Sequence, residues 1–226
     1  MLSLDIFFQN PFAGRQYGIG RLLAFTTDHL SRLRAANLGG VWPARIAATE
    51  AALAAFNGRD VSHGSSLGQR KTSKKALRAW RRALPERLGA LYLELQVKYG
   101  ARSPMLKTFF QHGRTYFARC PDDMLEPSLR ALAAAVSERT GELGPELAAQ
   151  ASGLVSEWQP LHAASEASSS AKSTAEYDRR GARAALVREL YLNLLAQAQE
   201  YPDQPEKLGS FMQQSFLTQK RRRAAA

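Results

Sequence analysis

RRALPERLGAL (Arg81–Leu91) and RAALVRELYLN (Arg183–Asn193) read as two versions of one helix. They begin 102 residues apart, and sliding the chain by 102 aligns residues 72–111 with 174–213 without a gap. Eleven of those 40 positions are identical: Thr72, Arg78, Arg81, Ala83, Leu84, Leu88, Leu93, Tyr99, Leu106, Phe109 and Gln111. Unrelated stretches of this composition would share roughly three. The shared apolar positions fall at helical spacing, Leu84 and Leu88 in one copy and Leu186 and Leu190 in the other. Tyr99 and Tyr201 close the helix before Gly100 and Pro202, and Phe109 and Phe211 follow at one distance. The register continues upstream more weakly, matching Leu23 with Leu125, Leu30 with Leu132 and Phe56 with Trp158.

Working outward from this helix predicts an all-α fold, a tandem of two four-helix units related by a repeat of about 102 residues. The division runs as a lead-in over 1–17, a basic first unit over 18–118, an acidic second unit over 119–218 and a basic tail over 219–226. In the first unit helices are expected near 18–36, 43–57, 71–98 and 104–118. In the second they are expected near 123–140, 145–160, 174–200 and 205–218. Pro43 and Pro145 stand where a helix start tolerates proline. GRDVSHGSSLGQ (58–69) and HAASEASSSAKS (162–173) read as long, exposed, mobile loops. Ser173 with Glu176 has capping-box spacing after the second of them. Pro85 is expected to kink or divide the first long helix.

Composition narrows the function. The chain has 226 residues, 45% of them hydrophobic and 23% charged, as in an ordinary globular protein. One cysteine excludes an intrachain disulfide scaffold. No apolar run has the roughly 18 residues of a membrane span, and MLSLDIFFQNPF is a poor signal peptide, so a cytoplasmic location is expected. Arginine (23) far outnumbers lysine (8), which fits a GC-rich bacterial genome. The net charge of +11 is uneven: residues 1–120 carry 19 Lys and Arg against 6 Asp and Glu, and residues 121–226 carry 12 against 14.

The densest charge lies on the first long helix. Arg70, Lys71, Lys74, Lys75, Arg78, Arg81, Arg82 and Arg87 face only one acid, Glu86. Steps of three and four place Lys71, Lys74, Lys75, Arg78 and Arg82 on one face, where they would meet several phosphates or an acidic partner, with Trp80 placed to stack on a base. A solvated surface face is the plainer reading of such a run. Arg78 with Arg180, and Arg81 with Arg183, are held in both copies and also suit interhelical ion pairs to Glu50 or Glu146. Lys220, Arg221, Arg222 and Arg223 in the tail are a second candidate for polyanions or acidic partners.

Catalytic signs are sparse. His29, His63, His112 and His162 have no second ligand at metal spacing, and no ExxH pairs occur. Cys120 has only Arg119 beside it to lower its pKa. GRQYGIGR (Gly14 to Arg21) matches no phosphate-binding motif. No catalytic residue, cofactor or metal is therefore assigned. The expected function is a non-enzymatic interaction or scaffold protein that binds a protein partner or self-associates through its basic and acidic halves. Nucleic-acid binding is the alternative, and an enzyme whose site is assembled from distant residues is the third.

Overall fold

The computed structural model describes residues 9–14 and 16–218. Among these residues there are eight α-helices and no strand. They are α1 (Ile19–Ala36), α2 (Pro43–Tyr99), α3 (Leu106–Phe109), α4 (Tyr116–Arg119), α5 (Asp122–Ser137), α6 (Thr140–Leu143), α7 (Pro145–Glu200) and α8 (Pro205–Phe211). Proline opens α2, α7 and α8, where a missing N–H leaves no carbonyl unpaired. Gly100, at φ +91°, stops α2, and its N–H reaches the Gln96 carbonyl at 2.8 Å. No described helix is long and apolar enough to cross a membrane.

Two expectations about the helices are corrected. Residues 58–69 and 162–173 are not loops; they are helical, so α2 has 57 residues and α7 has 56. Ser173 therefore caps nothing, and its hydroxyl donates to the Ser169 carbonyl within the helix. Helix propagation needs only one bond per added residue once both ends are held, so a poor stretch between two packed ends stays helical. No residue of α2 between Phe56 and Leu77 is buried. Pro85 does not divide α2 either: Leu84 and Leu88 on either side are anchored in the core and hold the helix through it.

The glycines of this stretch leave a measurable weakness. Gly58, Gly64 and Gly68 lie inside α2 with open space where a Cβ would sit. Each is expected to stabilise the protein by about 0.5–1 kcal/mol when replaced by alanine, since alanine restricts the unfolded chain and favours helix. Urea unfolding of Gly64→Ala measures this as a raised midpoint with an unchanged slope.

The chain packs as two compact units. One comprises the residues up to Gly64 and those from Thr174 onward; the other is Ser65–Ser173. Neither unit is a contiguous repeat: each takes one end of α2 and one end of α7. Counted over these divisions, the first holds 15 Lys and Arg against 10 Asp and Glu, and the second 16 against 10. The imbalance along the sequence is thus absent between the compact units, which are both net positive.

The second unit buries Leu84, Leu88, Leu91 and Leu95 of α2 with Leu125, Leu129, Leu132 and Val136 of α5 and Leu147, Ala151, Leu154 and Trp158 of α7. Each fully buried large apolar side chain contributes about 1.5–3 kcal/mol. Tyr99 stacks on Phe109 at 5.9 Å, and Arg81 donates at 2.6 Å to the carbonyl of Cys120, just before α5. The first unit buries Leu22, Phe25 and Leu33 of α1, Phe56 of α2, and Leu186 and Leu190 of α7. There Tyr201 stacks on Phe211 at 5.9 Å, and Arg183 donates at 2.9 Å to the carbonyl of Gly14, in the segment leading to α1.

One layer of the first unit is polar. His29, Thr49, Asn193 and Gln197 are fully buried. The His29 ring lies 3.0 Å from the Phe211 carbonyl through Nδ1, and Nε2 takes the Asn193 amide at 3.0 Å. The same amide donates to Thr49 at 2.8 Å, and the Thr49 hydroxyl donates to the Arg45 carbonyl at 2.8 Å. This arrangement fits a neutral ring carrying its proton on Nδ1. Burial lowers the His29 pKa below 6.5, opposed in part by the Phe211 carbonyl and by Asp28. The charges around it are already paired, Asp28 with Arg32 on α1 and Arg45 of α2 with Glu189 of α7. Below the unfolded value of 6.5 the unfolded chain therefore binds a proton that the folded chain refuses. Stability is complete above that pH and falls as pH drops toward the folded value, by up to about 1.4 kcal/mol per pH unit. His29→Leu is expected to flatten this slope between pH 7 and 5.5, read from denaturant midpoints.

Candidate functional site

The candidate face lies on α2 within the second unit. Arg70, Lys71, Lys74, Lys75, Arg78 and Arg82 lie side by side, with Ala79 between them, along one open stretch of the helix surface. At 1.5 Å per residue the span from 70 to 82 is about 18 Å. Lys71, Lys75, Arg78 and Arg82 are exposed, and Arg70 and Lys74 half-buried. The helix rotation is fixed by Leu77, Trp80, Leu84 and Leu88, which are buried; Arg70 and Lys74 border this apolar stripe, and Lys71, Lys75, Arg78 and Arg82 stand away from it.

The six cations have no acid among the described residues, unlike several arginines elsewhere. Arg34 pairs with Glu50, Arg59 with Asp178 at 3.0 Å, Arg130 with Glu126 at 2.9 Å and Arg179 with Asp60 at 3.3 Å. Arg87, at the end of the basic run, is held by both oxygens of Glu157, whose pKa is lowered chiefly by that hydrogen bond. None of Arg70, Lys71, Lys74, Lys75, Arg78 or Arg82 has a carboxylate within ion-pair distance among the described residues, so six positive charges repel one another across one face.

Two expected members do not belong to it. Arg81 lies off the face: besides the Cys120 carbonyl it has Asp122 at 3.3 Å, and its guanidinium sits 5.8 Å over the Trp158 ring. It braces the entry to α5 and has no role on an exposed face. Trp80 is buried, its ring against Trp158 and its indole N–H donated to Glu157 at 2.8 Å, so it offers no stacking surface to a base. Arg81 and Arg183 bind backbone carbonyls and not Glu50 or Glu146, and Arg180 pairs within its own helix with Glu176. Lys220, Arg221, Arg222 and Arg223 lie outside the described residues.

The remaining candidates are packing groups. Cys120 is buried, and burial pushes its thiol pKa up against the opposing pull of Arg81, the reverse of what a nucleophile needs. His162 stacks on Trp158 at 5.2 Å, and His112 lies 4.8 Å from Tyr116. No group of three metal-ligating side chains occurs among the described residues. No family model, curated protein or solved structure matches the chain.

Proposed function

We propose that this chain is a non-enzymatic, cytoplasmic helical interaction protein whose partner is nucleic acid, held through its phosphates along residues 70–82 of α2. The observation that carries the reading is that Arg70, Lys71, Lys74, Lys75, Arg78 and Arg82 stand side by side within 13 residues of one helix, none of them paired with an acid among the described residues. Like charges on one face cost stability, and phosphates relieve that repulsion while releasing counterions. Six unpaired cations offer up to six phosphate contacts. With Trp80 buried, contacts go to the backbone, and sequence preference is expected to be weak.

Fluorescence anisotropy with duplex DNA across a salt titration tests this. Four to six phosphate contacts give a slope of log K against log salt of about −4 to −5. A slope near zero, or no binding at low salt, refutes the reading. Self-association between a basic and an acidic half draws no support from the compact units, both of which are net positive.

We further infer that the chain is an internal duplication whose halves have exchanged segments. Supporting this, Arg81 and Arg183, 102 residues apart, each clasp a carbonyl just before a helix, and the Tyr99–Phe109 and Tyr201–Phe211 stacks share one geometry. Each compact unit then combines the first two segments of one repeat with the last two of the other.

A further inference from the structure

An internal duplication raises a recognition problem. The segment 19–57 has two candidate partners of nearly the same pattern, residues 84–95 and residues 186–197, yet packs with only the second. The two cores explain how the choice is made. Aligned by position, Leu84, Leu88, Leu91 and Leu95 correspond to Leu186, Leu190, Asn193 and Gln197. Thr49 corresponds to Ala151. Among the buried residues of the first helix, which also include Phe25 and Leu30, the series Leu22, Thr26, His29 and Leu33 has the spacing of Leu125, Leu129, Leu132 and Val136. The polar layer His29, Thr49, Asn193 and Gln197 therefore stands where the other unit has Leu132, Ala151, Leu91 and Leu95, and both sets are almost fully buried.

We propose that this layer is a pairing code that makes residues 19–57 accept residues 186–197 and reject residues 84–95. The code works by hydrogen-bond complementarity. In the observed pairing the Asn193 amide satisfies both His29 and Thr49. Against Leu91 and Leu95, His29 Nε2 would lose its donor; against Leu132 and Ala151, the Asn193 and Gln197 amides would be buried among methyl groups. The layer is not optimised for stability: Asn193 Oδ1 and both polar atoms of Gln197 have no partner. A polar layer that is weaker than leucine but discriminates between partners is how buried asparagine fixes register in helical assemblies. The same code would hold for a second copy of this chain, whose residues 186–197 are the only alternative match for 19–57.

The proposal rests on the duplication reading, and one experiment separates the two. The full chain is given a protease site in the exposed turn 111–115, cut after folding, unfolded in guanidinium, refolded and weighed by native mass spectrometry. The wild type is expected to return as paired halves. In the variant His29→Leu/Thr49→Ala/Asn193→Leu/Gln197→Leu both layers are apolar and the choice is erased. A share of its halves is then expected to close on themselves, with separate half-mass species at least roughly tenfold above wild type, the least that one orphaned buried group per crossed unit gives. The converse variant, Leu132→His/Ala151→Thr/Leu91→Asn/Leu95→Gln, makes both layers polar and should scramble likewise. Wild-type halves that separate would overturn the exchange of segments on which the proposal rests. Wild-type halves that stay paired, with neither variant giving more separate halves than wild type, would overturn the code alone.

Discussion

Reversing the charge of three residues, Lys74→Glu/Lys75→Glu/Arg78→Glu, is expected to weaken duplex binding by about 100-fold or more near 0.1 M salt and to cut the salt slope by about three. The reasoning is direct. All three stand on the basic face of α2, none has an internal acid to release, and none contributes to the core. Their loss therefore removes phosphate contacts without creating an orphaned charge, and far-UV circular dichroism and the urea midpoint should stay close to wild type. The comparison variant is Arg130→Ala. Arg130 is also an exposed arginine on a helix, but Glu126 already holds it at 2.9 Å. Its removal should change affinity less than about twofold, because an exposed ion pair contributes little and leaves little free charge to give a phosphate. Equal loss per unit of charge removed, six in the triple variant against one in Arg130→Ala, would mean that net charge alone attracts the duplex and that the face is no site. Loss confined to the triple variant with an unchanged salt slope would mean that the contacts are not to phosphates.

Helix content and the positions of the buried leucines were readable because period 3.6 survives in the text. Leu84, Leu88, Leu186 and Leu190 were expected in the core and lie there. What was unreadable depended on energies that no local window carries. The glycines and serines of 58–69 have the composition of a loop, and they are helical because packed segments on both sides propagate through them. Which segments pair is a long-range choice, so the chain was divided at residue 118, whereas each compact unit draws on both sides of that point. The polar layer was invisible for a related reason. His29 and Thr26 interrupt the apolar pattern of α1, so the sequence match at 102 sets Leu30 against Leu132; Leu30 is buried too, but the spacing of buried Leu22, Thr26, His29 and Leu33 sets His29 there, one residue away. The basic face was legible as a run of charge. Which of its members were free was not: Arg81 and Arg87 look like their neighbours, and only the positions of Cys120, Asp122 and Glu157 show them to be engaged.

A single cut in the turn 111–115 should leave the native molecule in one piece. The turn 111–115 is exposed at every residue and bends at Gly113, at φ +79°, so it accepts an inserted protease site with little disturbance. A fragment ending there holds α1, α2 and α3; the other holds α4 to α8. Neither owns a complete core. The first supplies Leu22, Phe25 and Phe56 but lacks Leu186, Leu190 and Phe211; the second supplies Leu125, Leu129 and Trp158 but lacks Leu84, Leu88 and Leu95. To separate, the fragments must open both cores at once, exposing apolar surface that holds most of the stability of each unit. Size-exclusion chromatography after cleavage is therefore expected to give a particle near the intact 24.9 kDa, while a denaturing gel shows two bands. The cut has a kinetic signature as well. Refolding of the intact chain is unimolecular, but the cut chain must first meet its other half, so its refolding rate and its midpoint should rise with protein concentration. Fragments that elute separately at half the mass, each still helical and cooperatively folded, would mean that each fragment closes on itself.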